Sequence, residues 1–131
     1  VLTLLLQNFL KKDAAFCFID THAGLGLYDL KSEAAQATQE YSTRVSRLPT
    51  MTSELPEWLL PYWKIIHGMQ PTNKISLYPG SPVIAQNFLR PQDKMILNEK
   101  HEETCLELKK FFYRDEFCFN YFLFSKRKQT V

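Results

Sequence analysis

The stretch with the most chemical content is Asp20-Thr21-His22-Ala23-Gly24-Leu25-Gly26, which follows the apolar run Phe16-Cys17-Phe18-Ile19. Glycines after a strand let the backbone turn tightly and approach a bound ligand, because no Cβ stands in the way. An acid at the strand's carboxyl end faces a cationic or hydroxyl-bearing group. In open α/β sheets this crevice is where cofactors lodge. The third glycine of a dinucleotide fingerprint is missing, since Asp29 stands in its place. That counts against a dinucleotide, and the two-glycine spacing alone is common in loops.

A second element adds to it. A nucleoside-binding fold places an acid at the end of the next strand to accept both ribose hydroxyls. Glu99, after Met95-Ile96-Leu97-Asn98, stands where that acid belongs. The usual gap of about 20 residues is stretched several-fold here. Spacing alone therefore leaves two readings, a ribose acid or a solvated loop acid. A two-glycine corner of this kind is tolerable for a methyltransferase-type turn.

Other chemistry is poorly supplied. No G-x-x-x-x-G-K-[ST] cradles a phosphate, and no G-x-S-x-G makes Ser81 a hydrolase-type nucleophile. His101 and Cys105 fall at i, i+4, but no second ligand pair at zinc spacing accompanies them, so no metal is expected. His67 reads as a packed, hydrogen-bonded core histidine. Trp58, Tyr62 and Trp63 follow helical spacing and read as packing residues rather than a base-stacking platform. Lys126-Arg127-Lys128 reads as a solvated basic tail.

These residues sit in an ordinary globular text. The chain has 131 residues, 45% hydrophobic, 23% charged and 14% aromatic, with a net charge of +2. One domain of this size buries roughly two-thirds of its unfolded surface and needs no disulfide staple. Its 4 Gly and 7 Pro exclude a collagen or low-complexity chain, and the near-neutral balance excludes a whole-protein field for nucleic acid. Cys17, Cys105 and Cys118 form no C-x-x-C pair, which fits a reducing cytoplasm.

The elements follow from periodicity. Val1 to Lys12 is too short to cross a bilayer and lacks a cleavage site. Leu2, Leu5, Leu6 and Phe9 instead predict one buried helix face, with Lys11 and Lys12 in the last turn. The helix begins at Val1, not Met, without a cap, which reads either as removal of preceding residues or as part of a longer chain. Phe16 to Ile19 predicts a buried parallel strand. Ser32 to about Arg47 and Glu57 to His67 predict two helices, so that 32–72 forms a helical insertion within a single domain, 1–131. Tyr78-Pro79-Gly80-Ser81-Pro82 predicts a loop, followed by a short helix from Val83 to Leu89. Lys94 to Glu99 predicts a second strand, His101 to Phe112 a charged helix, and Phe117 to Phe124 a third strand. The alternation favours an α/β fold with about three parallel strands.

Asp20-Thr21-His22-Ala23-Gly24-Leu25-Gly26-Leu27-Tyr28, Thr38-x-Glu40-Tyr41 and Tyr78-Pro79-Gly80-Ser81-Pro82-x-Ile84-Ala85 together resemble the bacterial 23S ribosomal RNA adenine-N6-methyltransferase J family. The resemblance runs over about residues 1–116 and implies a class I, Rossmann-like fold with a helical insertion after the first strand. It implies S-adenosylmethionine as cofactor and 23S rRNA as substrate, in the cytoplasm, with no metal and no membrane. It assigns His22 and Ser81 to cofactor contacts and Glu99 to the ribose hydroxyls; with Asp20, Gly24 and Gly26 of the corner, these are the expected cofactor-binding residues.

The departures carry consequences. The family's His-rich start and its catalytic Asp-Pro-Pro-Tyr are both absent, so no catalytic residue is assigned in this chain. After about Glu116 the resemblance fades, as a truncated or frameshifted reading frame would explain. The chain thus reads as an incomplete N-terminal half, inert alone, or as a non-catalytic nucleoside- or RNA-binding module of the same fold. Half of a doubly wound sheet leaves the first strand at an open edge, which predicts self-association.

Overall fold

In the computed structural model, which describes residues 1–32, 55–72, 74–112 and 121–122, helix α1 (Leu2–Leu10) leads into strand β1 (Cys17–Asp20). The chain continues through β2 (Leu27–Asp29), a 3-10 turn (Glu57–Leu59), α2 (Leu60–Gly68), β3 (Leu77–Pro79) and α3 (Ser81–Gln86). It ends with β4 (Lys94–Leu97), α4 (Glu102–Phe112) and β5 (Tyr121–Phe122). The main sheet has the order β1-β4-β5 with both pairs parallel, so the expected mixed α/β arrangement with parallel strands is present. The helix expected from Ser32 to Arg47 lies, beyond Ser32 itself, outside the described residues, as does most of Phe117 to Phe124.

Met95 and Leu97, both fully buried, point to one face of β4 and meet α1, α3 and α4 there through Leu6, Val83, Ala85, Leu108 and Phe112. The opposite face carries Cys17 and Ile19 of β1 beside their register partners Lys94 and Ile96. Ile19 is 61% exposed and Cys17 is exposed. The expectation of a strand buried on both faces is therefore corrected. An apolar run reports what a strand can bury, and among the described residues helices cover only one side of it.

The opening helix needs a similar correction. Thr3 and Leu6 are buried, while Leu5 and Phe9 are 53% and 49% exposed. Helix α1 lies along α3, which turns its buried line away from the most apolar stripe. Lys11 is the helix C-cap, so the two lysines follow the last turn instead of occupying it.

The Tyr78–Pro82 segment is not a loop. Leu77–Pro79 pairs antiparallel with Leu27–Asp29, and Leu30 N–H extends the ribbon to Ser76 O at 2.8 Å. Pro79 is tolerated as the strand's final residue, where its missing N–H costs no ladder bond. Pro82 sits in the first turn of α3, where a proline's fixed φ suits the helix. Strand β2 carries no sequence signal of its own, since three residues are too few to show alternation.

A buried carboxylate pins the start of β1. Asp93, 5% exposed, accepts Phe16 N–H at 3.0 Å and both the backbone and side chain of Arg90 at 2.9 Å. Arg90 also donates to Lys12 O and Ala14 O at 2.7 and 2.9 Å. Donation from the Arg90 guanidinium holds the Asp93 carboxyl down at about 2, against the opposing pull of burial.

Candidate functional site

The glycine corner is built from both ends of the parallel pair. Asn98 N–H donates to Asp20 O at 2.8 Å, Ala23 N–H to Asn98 O at 3.0 Å, and the Asn98 amide to Thr21 O at 3.2 Å. These bonds continue the β1–β4 ladder past the strand ends and fold residues 20–26 over the tip of β4. Gly24 and Gly26 take φ of +66° and +78°, the left-handed region that side chains rarely enter. A Cβ on Gly24 would collide with the Tyr28 hydroxyl, and one on Gly26 would lie 2.9 Å from Leu108 Cδ1 in the core.

Glu99 reaches this corner directly. Its Oε2 accepts Gly24 N–H at 2.8 Å and its Oε1 accepts His101 N–H at 2.8 Å, just before α4. The residue is only 7% exposed, so the solvated-loop reading does not describe it. Burial works to raise its carboxyl, but the backbone N–H groups of His101, Gly24 and Lys100 and the His101 charge outweigh that, and the net shift is downward. A carboxylate offers about four lone-pair sites. The backbone N–H groups of Gly24, His101 and Lys100 engage up to three, leaving acceptor capacity for a neighbouring hydroxyl.

Asp20 ties the corner to the start of α3. Its Oδ1 accepts His22 N–H at 3.0 Å and its Oδ2 accepts the Ser81 hydroxyl. His22 is exposed, with Nδ1 2.9 Å from Thr21 Oγ1. Gly80 N–H donates to Gly26 O at 2.7 Å and so holds Ser81 against the turn. Asp20, His22, Gly24, Gly26, Ser81 and Glu99 thus form one hydrogen-bonded constellation at the carboxyl ends of β1 and β4. Asn98 and Gly80 complete it and were missed from sequence. The only signal was their place next to Glu99 and Ser81.

His101 and Cys105 are joined through the helix backbone, with Cys105 buried and His101 exposed. Among the described residues no cluster of three or more His, Cys, Asp or Glu is placed to hold a metal. No described helix is long and apolar enough to cross a membrane. His67 stacks on Trp63 with ring centroids 4.1 Å apart, and no hydrogen bond to its buried Nε2 is formed among the described residues. The ring is packed as expected, without the hydrogen bond expected of it.

Residues 13–118 match the family described as Ribosomal RNA large subunit methyltransferase D, RlmJ. The chain belongs to this family. The RlmJ match contains every residue of the constellation and agrees with the resemblance read from the sequence. Ribosomal RNA large subunit methyltransferase J of Escherichia coli strain K12 is 36% identical over 115 residues, 88% of this chain and 41% of that protein. Its namesake in Haemophilus influenzae Rd is 40% identical over 102 residues, 77% of this chain and 36% of that protein. The crystal structure of protein LPL1258 from Legionella pneumophila superposes with a TM-score of 0.74 at 31% identity, over 91% of this chain and 43% of that one. The chain therefore spans about two-fifths of the length of the RlmJ relatives it matches.

Proposed function

We propose that this chain is the cofactor-binding part of an S-adenosylmethionine-dependent methyltransferase that modifies adenine N6 in 23S rRNA. The observation that carries the reading is the Glu99 carboxylate bonded to Gly24 of the corner, with acceptor capacity to spare. That arrangement suits a nucleoside diol, and the left-handed backbone of Gly24 and Gly26 makes the tight turn that presents it. Glu99 would hold the ribose hydroxyls, His22 and Ser81 would contact the methyl-donor end, and Asp20 would orient both. When bound, the cofactor supplies an electrophilic methyl group.

On this reading residues 1–131 are one partial Rossmann-like domain, with 32–72 as a helical insertion. The protein acts in the cytoplasm on rRNA, without a metal or a membrane. An exocyclic amine conjugated to a purine is a poor nucleophile, and orienting it is the main task left to a protein. The sequence contains no Asp-Pro-Pro-Tyr to do so, and the chain is accordingly inert in methyl transfer by itself. Among the described residues β1 stands at the edge of its sheet, which favours self-association.

Calorimetric titration with S-adenosylmethionine and S-adenosylhomocysteine tests the cofactor reading. Saturable binding is expected, lost in Glu99→Ala while Lys100→Ala retains it. Equal binding by wild type and Glu99→Ala would refute the assigned role. Methyl transfer by this chain alone to unmodified 23S rRNA would overturn its inertness.

A further inference from the structure

We infer that Gln70 is a positioning residue for the cofactor site, acting through Ser81. The inference rests on the cofactor reading above. Gln70 follows α2, and its side-chain amide makes four hydrogen bonds, one back to α2 and three to Ser76 and Leu77 at the start of β3. Its Nε2 donates to Ile66 O at 2.8 Å and to Leu77 O at 2.7 Å. Its Oε1 accepts Ser76 N–H at 2.7 Å and Leu77 N–H at 2.9 Å.

Leu77 is therefore held by Gln70 at both its backbone groups, on the side of β3 turned away from β2. In an antiparallel ribbon, alternate residues turn their backbone groups outward, and an outward pair with no neighbouring strand is a loose edge. Gln70 takes the place of that strand. Tyr62 reinforces the attachment of α2 to the ribbon through its hydroxyl, 3.1 Å from that of Tyr78.

The path from this clamp to the site is short. Strand β3 ends at Pro79, Gly80 then bonds Gly26 O at 2.7 Å, and the Ser81 hydroxyl bonds Asp20. Ser81 is thus fixed by the glycine corner, by the buried first turn of α3 that it opens, and by a ribbon whose outward backbone groups at Leu77 Gln70 satisfies. On this inference, loosening the ribbon lets Ser81 shift without removing any residue of the constellation.

The test is a double-mutant cycle on the full chain, read as S-adenosylhomocysteine affinity by calorimetry. It is run at a temperature where circular dichroism shows every variant folded. Gln70→Ala is expected to bind roughly three- to tenfold more weakly, the scale of one hydrogen bond's net contribution. In a Ser81→Ala background the same substitution is expected to cost nothing further. Gln70→Met, which keeps the stem and loses the polar head, provides the same reading if the alanine variant does not fold. Unchanged affinity in the Gln70 variants overturns the inference, as does an equal loss with and without Ser81. A wild-type chain that fails to bind overturns the cofactor reading and this inference with it. Binding by wild type with no effect of Gln70 overturns the inference alone.

Discussion

The carboxylate of Glu99 accepts the backbone N–H of Gly24 at 2.8 Å across 75 positions of sequence. With its other oxygen it accepts His101 N–H at 2.8 Å. Glu99 is therefore part of the scaffold before any ligand arrives, joining the turn after β1 to the approach of α4. Glu99→Gln is expected to destabilise the chain by about 1–3 kcal/mol, because one end of an amide is a donor and cannot accept both N–H groups. Urea denaturation measures this, and an unchanged midpoint would show that neither bond contributes.

Gly26→Ala is expected to be more costly than an exposed glycine substitution. The left-handed backbone alone costs about 1–2 kcal/mol. The new methyl group would also press on Leu108, which is fully buried. A melting temperature within error of wild type would mean that the corner adopts another conformation. Gly68→Ala is the matched control, since nothing lies within 4 Å of its added Cβ.

Asp93 sets an acid limit on stability. Its carboxyl is held at about 2 in the folded chain, below the ordinary carboxylate range. A depressed carboxyl contributes stability that is fully present above its unfolded value and is lost as pH falls through the folded one. Glu99, also shifted downward, adds to the same trend. Melting temperature should fall steeply from about pH 4 toward pH 2. Asp93→Asn should lower the unfolding free energy by about 1.5–3 kcal/mol at neutral pH and flatten that fall. Parallel pH profiles of the two proteins would exclude Asp93 as the source.

Self-association through the β1 edge is expected in solution. Ile19 is 61% exposed on a strand with no neighbour on its outer side among the described residues. Size-exclusion chromatography should show larger species growing with concentration, and Ile19→Lys should reduce them, because an edge lysine disfavours strand pairing. A wild-type monomer at all concentrations would count against the prediction.

The sequence by itself determined the kinds of chemistry available and the elements carrying them. An acid followed by two glycines after an apolar run, a second acid after another such run, and the helical periods of α2 and α4 are local patterns. They are set by side-chain volume, backbone freedom and spacing along the chain. Tertiary structure alone decided which of these meet. That Glu99 grips Gly24, that Asp20 takes the Ser81 hydroxyl, and that Tyr78 and Pro79 form a strand all depend on pairing between segments far apart in the chain. Ile19 and Phe9 read as core because an apolar side chain records only what it can bury. Whether it is buried depends on which neighbour covers it, and that is fixed by packing between elements rather than by the residue.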